Sequence, residues 1–248
     1  MQLRAAVVLI TIATLSTTDG TTLNGLTPPP GSADTGQRTQ RLTLRTEDGQ
    51  SIAATWYEPA ERPAPAVVLV HMLARSRRDW DAIGSRLASE GVGALAIDLR
   101  GHGDSSGAAG DLAAMQQDVA AAKRHLAVRT DVIHSRIGIA GASLGANLAV
   151  LAAADDPLVK SLALLSPSLD YRGIRIEAAM RKYGKRHALL VASKEDAYAL
   201  RTVGELGKGG AGIREILLLD GAGHGTTMLA RSAELGEQVV GWFRRTLQ

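Results

Sequence analysis

With 248 residues, 45% of them hydrophobic, the chain is long enough for one domain around a large buried core. Its net charge of +3 comes from scattered arginines, and three tryptophans, four tyrosines and one phenylalanine are too few for a basic face interleaved with stacking rings, so nucleic acid is not an expected partner. The absence of cysteine excludes disulfides, thiolate catalysis and cysteine-bound zinc.

The first residues read differently from the rest. Arg4 precedes an apolar stretch over residues 5–15, too short to span a bilayer, and the pair reads as a secretory signal covering residues 1–18. No A-x-A marks a cleavage site. Residues 19–39 are rich in Thr, Gly, Ser and Pro, including Pro28, Pro29 and Pro30, and read as a flexible linker. The expectation is export to the periplasm or beyond, or a cytoplasmic location if the segment is not a signal.

Residues 40–248 read as one domain. Residues 40–46 and 51–57 alternate polar and apolar around Asp48 and Gly49, which predicts a hairpin. A strand at 66–70, a helix near 77–90 and a strand at 92–97 follow. A helix near 111–128 leads to a strand at 136–140, and strands near 161–165, 187–192 and 213–219 alternate with helices, one of them around 174–183. A last helix runs near 226–246. Repeated βα units predict an α/β fold: a doubly wound, mostly parallel sheet of about eight strands with helices on both faces.

Gly141-Ala142-Ser143-Leu144-Gly145 falls where the fifth strand should reverse into a helix. Such a turn needs glycines beside the reversing residue and presents the serine, strained, above the sheet edge. Asp196 and His224 each lie just past the end of a later strand, where open parallel sheets place their ligand-binding loops. In that order, Ser143, Asp196 and His224 suit nucleophile, orienting acid and general base. Asp220, on the histidine's own loop, and Asp170, after the sixth strand, are the rival acids. Glu195 is expected to point away.

These motifs, with residues 67–72 and the run Asp98-Leu99-Arg100-Gly101-His102-Gly103-Asp104-Ser105, make residues 40–248 resemble a serine hydrolase of the α/β-hydrolase superfamily, most similar to small lidless esterases of the dienelactone-hydrolase-like kind. The resemblance implies a backbone oxyanion hole formed by Leu144 with Met72 or Leu73. Met72 departs from the glycine usual after His71, and Ser143 from the cysteine nucleophile of dienelactone hydrolases themselves. Residues 166–186 leave space for a minimal cap or none, which implies an open site for short-acyl esters. Tyr171 and Arg172 lie in that interval as candidate substrate-binding residues.

His71 is expected to brace the oxyanion turn, and Asp98, Arg100, His102 and Asp104 to form a structural turn, with no metal. His125, His134 and His187 are expected at the surface or at strand ends. No nucleotide- or metal-binding motif occurs, so no cofactor is expected. The expected activity is hydrolysis of small-molecule carboxylic esters through an acyl-enzyme on Ser143. Peptidase, thioesterase or acyltransferase chemistry with the same triad is the alternative, as is a non-catalytic binding protein of the same fold.

Overall fold

In the computed structural model, which describes residues 38–208 and 212–248, the chain begins with a hairpin of β1 (Thr39–Arg45) and β2 (Ser51–Tyr57). The expected signal and nearly all of the expected linker lie outside the described residues. Thr39, the last residue assigned to that linker, is in β1 and pairs with Tyr57.

Next come β3 (Ala64–Val70), a 3₁₀ turn (Arg77–Trp80), α1 (Asp81–Ser89), β4 (Gly93–Ile97), α2 (Met115–Ala127), β5 (Val132–Ala142) and α3 (Leu144–Ala154). The second half holds β6 (Val159–Leu165), the two-residue strands β7 (Asp170–Tyr171) and β8 (Ile174–Arg175), α4 (Glu177–Tyr183), β9 (His187–Ser193) and α5 (Ala197–Lys208). It closes with β10 (Arg214–Leu219), α6 (Thr227–Arg231) and α7 (Ala233–Thr246).

Eight strands form one sheet in the order β1-β2-β4-β3-β5-β6-β9-β10, while β7 and β8 pair separately. Strand β2 runs antiparallel to both β1 and β4; the pairs from β4 to β10 are all parallel. The central strands are mostly apolar, β5 and β6 carrying polar residues only in their first halves, because both faces are covered. Along β3, Val68 and Val70 pack towards α2 and α3, and Val67 and Leu69 towards α1 and α7, as the period of two requires. This is the expected doubly wound α/β sheet. From β3 the chain winds outward to β4, then returns to β5 on the other side. The crevice for a ligand therefore opens beyond the carboxyl ends of β3 and β5.

Two helix expectations are corrected. Residues 174–175 are strand, because Arg172 (φ 51°) and Gly173 (φ 91°) turn the chain back and the Asp170 carboxylate accepts from the Gly173 N–H at 2.7 Å. The last helix is two. Ser232 is extended (φ −133°, ψ 100°), and its hydroxyl oxygen accepts from Leu235 N–H, capping α7 where α6 stops. Among the described residues no helix is long and apolar enough to cross a membrane.

Candidate active site

Ser143 occupies the turn between β5 and α3 with φ 49° and ψ −115°, a region that side-chain-bearing residues avoid. Its neighbours explain why the strain is held. A Cβ on Gly141 would stand 2.2 Å from the Gly145 carbonyl oxygen, and one on Gly145 would stand 2.4 Å from that of Val70. Both glycines are thus fixed by backbone contact. The Ser143 N–H donates to Leu165 C=O at 2.8 Å, and its own carbonyl accepts from Ala146 and Asn147 in the first turn of α3.

Ser143 is 7% exposed, and its Oγ–H donates to His224 Nε2 at 2.8 Å. His224 Nδ1–H donates to Asp196 Oδ2 at 2.5 Å. The other Asp196 oxygen accepts from Ala199 N–H in the first turn of α5 at 3.1 Å, which orients the carboxylate. Sequence separations of 81 and 28 residues are closed because Ser143, Asp196 and His224 follow the ends of β5, β9 and β10, with only β6 between β5 and β9 in the sheet. The arrangement can pass a proton from a serine to an imidazole whose tautomer a carboxylate sets.

The rival acids are engaged elsewhere. Asp220 pairs with Lys194 at 2.8 Å on the surface. Asp170 pairs with Arg175 at 2.9 Å, and that guanidinium lowers its pKa.

Three side chains hold the loop that carries His224. Glu195 accepts from Gly221 N–H at 2.8 Å, Ser193 Oγ from Ala222 N–H at 3.1 Å, and Ser166 Oγ from Gly225 N–H at 3.0 Å. Glu195 therefore does not point away: the Ser193 hydroxyl and then the Gly221 N–H favour its charged form and lower its pKa. Ser193 and Ser166 went unnoticed in the sequence, where a serine after a strand is an ordinary loop residue.

Met72 and Leu73 follow β3 in a turn braced by two histidines. His71, fully buried, donates from Nδ1 to Met72 C=O at 2.7 Å and accepts at Nε2 from Leu99 N–H at 2.9 Å. Burial lowers its pKa to about 4. His102 Nε2 accepts from Ala74 N–H at 3.1 Å while its Nδ1–H donates to Arg100 C=O. The Ala74 N–H is therefore committed, leaving Met72 and Leu73 as the candidate donors of this turn. Leu144 opens α3, where the first N–H groups have no partner within the helix.

The remaining polar residues brace the turns. Asp98 accepts from Arg77 and from the Asp104 N–H, and a Cβ on Gly103 would overlap its carboxylate. Arg100 pairs with Asp118 and Asp48. Among the described residues, no group of three or more His, Asp or Glu is placed to hold a metal ion. His125 is half-buried and pushed to lower pKa by that burial. His134 is exposed, and His187 is half-buried at the start of β9. A groove of about 650 Å³ runs from Leu73 past Ala109 and Leu112 to Arg172 and Ile174. Tyr171 lies 5.8 Å under the Arg172 guanidinium, and Arg172 has no carboxylate partner among the described residues.

Residues 61–199 match the family described as serine aminopeptidase, S33. The chain belongs to that family of α/β hydrolases. Solved structures share the fold at low identity. A dienelactone hydrolase from Anabaena variabilis aligns with a TM-score of 0.71 at 16% identity, covering 86% of this chain and 99% of that one. An esterase of Pyrococcus furiosus gives 0.71 at 18%, covering 90% and 96%. Est1E from Butyrivibrio proteoclasticus, solved with ferulic acid bound, gives 0.72 at 19%, covering 83% and 98%. An uncharacterized abhydrolase domain-containing protein of Dictyostelium discoideum is 31% identical over 76 residues, which are 31% of this chain and 8% of that relative. This S33-family chain is thus a hydrolase by family and an α/β hydrolase by fold.

Proposed function

We propose that the protein hydrolyses small-molecule carboxylic esters, preferably of short acyl chains, through an acyl-enzyme on Ser143. The single observation that carries this reading is the continuous contact from Ser143 Oγ to His224 Nε2 and from His224 Nδ1 to Asp196. In the first half-reaction Oγ attacks the ester carbonyl as His224 takes its proton. Asp196 stabilises the imidazolium that forms. The negative oxygen is met by the N–H of Leu144 and by that of Met72 or Leu73, each donor contributing about 2.7–4 kcal/mol. The tetrahedral intermediate collapses, His224 protonates the departing alcohol, and water repeats the sequence to release the acid.

The short-acyl preference is supported by the interval from 166 to 186, which holds only the β7–β8 hairpin and α4. So short an interval supplies little chain to cover Ser143. Tyr171 and Arg172, on that hairpin, are the substrate-facing residues of this proposal; Arg172 lines the far end of the groove that starts at Leu73, and Tyr171 stacks beneath it. A second reading, aminopeptidase, is favoured by the family match and by Asp111, a carboxylate in the same groove that suits an α-ammonium group.

Hydrolysis of p-nitrophenyl acetate, butyrate, octanoate and palmitate, beside amino-acid p-nitroanilides, tests both. Turnover of acetate and butyrate that disappears in Ser143→Ala is the expected result. Peak rates on palmitate would remove the short-acyl reading, and turnover of the anilides alone would favour the peptidase.

A further inference from the structure

Among the described residues sulfur is scarce at the surface. The chain has no cysteine, and Met115, Met180 and Met228 are buried at 0%, 5% and 0% exposure. Among the described residues Met72 is the one methionine that is partly exposed.

Its thioether lies against the loop that carries His224. A Cβ on Gly225 would stand 2.5 Å from Met72 Sδ, so the glycine is what makes space for the sulfur. The backbone on both sides of this contact is anchored. Gly225 N–H is held by buried Ser166, and the next residue, Thr226, donates its hydroxyl to Asp79. On the other side, Met72 C=O is held by His71 Nδ1–H. The sulfur is wedged between two anchored backbone segments, one bearing the candidate oxyanion donors and the other the candidate base.

We propose that Met72 is an oxidative modification site, and that its sulfoxide disables the Ser143–His224 pair. With hydrogen peroxide, a sulfur lone pair attacks one peroxide oxygen and the O–O bond breaks. The S–O bond forms, and the second oxygen leaves as water after proton transfer. Sulfur loses two electrons and the peroxide gains them. The product is larger and strongly polar, and it lies against a glycine on which a Cβ would already meet the sulfur at 2.5 Å. Close-packed segments transmit such a change as displacement. His224, one residue from the contact, then leaves its 2.8 Å approach to Ser143. A misplacement of about 1 Å lowers the rate on the order of 10²-fold.

The activity readout rests on the ester-hydrolysis reading; the modification itself does not. The test exposes the full chain to hydrogen peroxide and follows three quantities: oxygen uptake by peptide mass, p-nitrophenyl acetate turnover, and the downfield proton resonance of His224 Nδ1–H held by Asp196. The expected result is one added oxygen on the Met72 peptide, with turnover falling on the order of 10²-fold and the resonance shifting in step. Methionine sulfoxide reductase should reverse all three, an arm that needs no variant. Met72→Leu, normalised to its own untreated rate, should keep that rate under the same exposure. Complete oxidation of Met72 with rate and resonance unchanged would overturn the proposal, as would equal loss in Met72→Leu. Should the untreated protein turn over no ester, the hydrolysis reading fails by itself, and the resonance alone decides the fate of Met72.

Discussion

Gly145 and Val70 approach so closely that a Cβ on the glycine would stand 2.4 Å from the Val70 carbonyl oxygen. The start of α3 and the end of β3 are therefore joined backbone to backbone, and Ser143 is held two residues from that contact. Gly145→Ala should destabilise the fold by at least about 3 kcal/mol, since the opposing atom is backbone and cannot rotate away. Gly204→Ala makes the contrast. It lies inside α5 with nothing within 4 Å of the added methyl, and should stabilise by about 0.5–1 kcal/mol. Urea unfolding of both variants checks the pair.

The two acids near the histidine loop predict opposite outcomes. Asp196→Asn removes the acceptor that sets the His224 tautomer, and kcat should fall on the order of 10⁴-fold. Asp220 forms only an exposed pair with Lys194, of a kind worth about 0–1 kcal/mol. Asp220→Asn should therefore leave kcat within about twofold. Steady-state kinetics on one short ester checks both, and equal losses in the two variants would count against Asp196 as the orienting group.

What the sequence made legible was whatever depends on runs of like residues. The buried strands β3 and β4 are uninterrupted apolar stretches, as is β6 from Leu162 on, and the reversal at Ser143 is marked by two glycines held by backbone contact. The parts that stayed hidden depend on where one side chain points. Nothing in Ser193-Lys194-Glu195-Asp196 reveals that Glu195 turns back to pin Gly221. Ser166 and Ser193 are equally silent, because a hydroxyl that accepts from a distant N–H leaves no periodic trace. The break at Ser232, which caps α7, stayed hidden because a serine inside a continuing helical pattern carries no stop signal of its own. The short β7–β8 hairpin escaped because two-residue strands carry no alternation.

Asn147 connects the elbow helix to that hairpin. Fully buried in α3, it donates to Ser168 C=O at 2.8 Å and Ile174 C=O at 3.0 Å, and accepts from Ser168 N–H at 3.0 Å. Asn147→Ala leaves these backbone groups buried without partners and should cost about 3 kcal/mol. The segment so released carries Tyr171 and Arg172. If they face substrate, KM should rise by more than kcat falls. Urea unfolding gives the first quantity and ester kinetics the second; a drop in kcat alone would remove Tyr171 and Arg172 from the binding surface.

His71 predicts the direction of acid sensitivity. Burial, the largest influence on it, lowers its folded pKa from 6.5 to about 4, so the native state holds the imidazole neutral where the unfolded chain takes up a proton. Between those two values the unfolded state binds more protons, and stability rises with pH. The contribution is complete above about pH 6.5 and is lost as the pH falls towards 4, amounting to about 3 kcal/mol over that window. A proton on Nε2 would also oust the Leu99 N–H, loosening the turn that carries Met72 and Leu73. His71→Gln should be less stable than the parent at pH 7.5. It should also lose less on going to pH 4.5, since glutamine does not titrate and the other carboxylates act alike in both proteins. Urea unfolding at the two pH values measures the difference of differences. Parallel losses in parent and variant would show that His71 is not the group responsible.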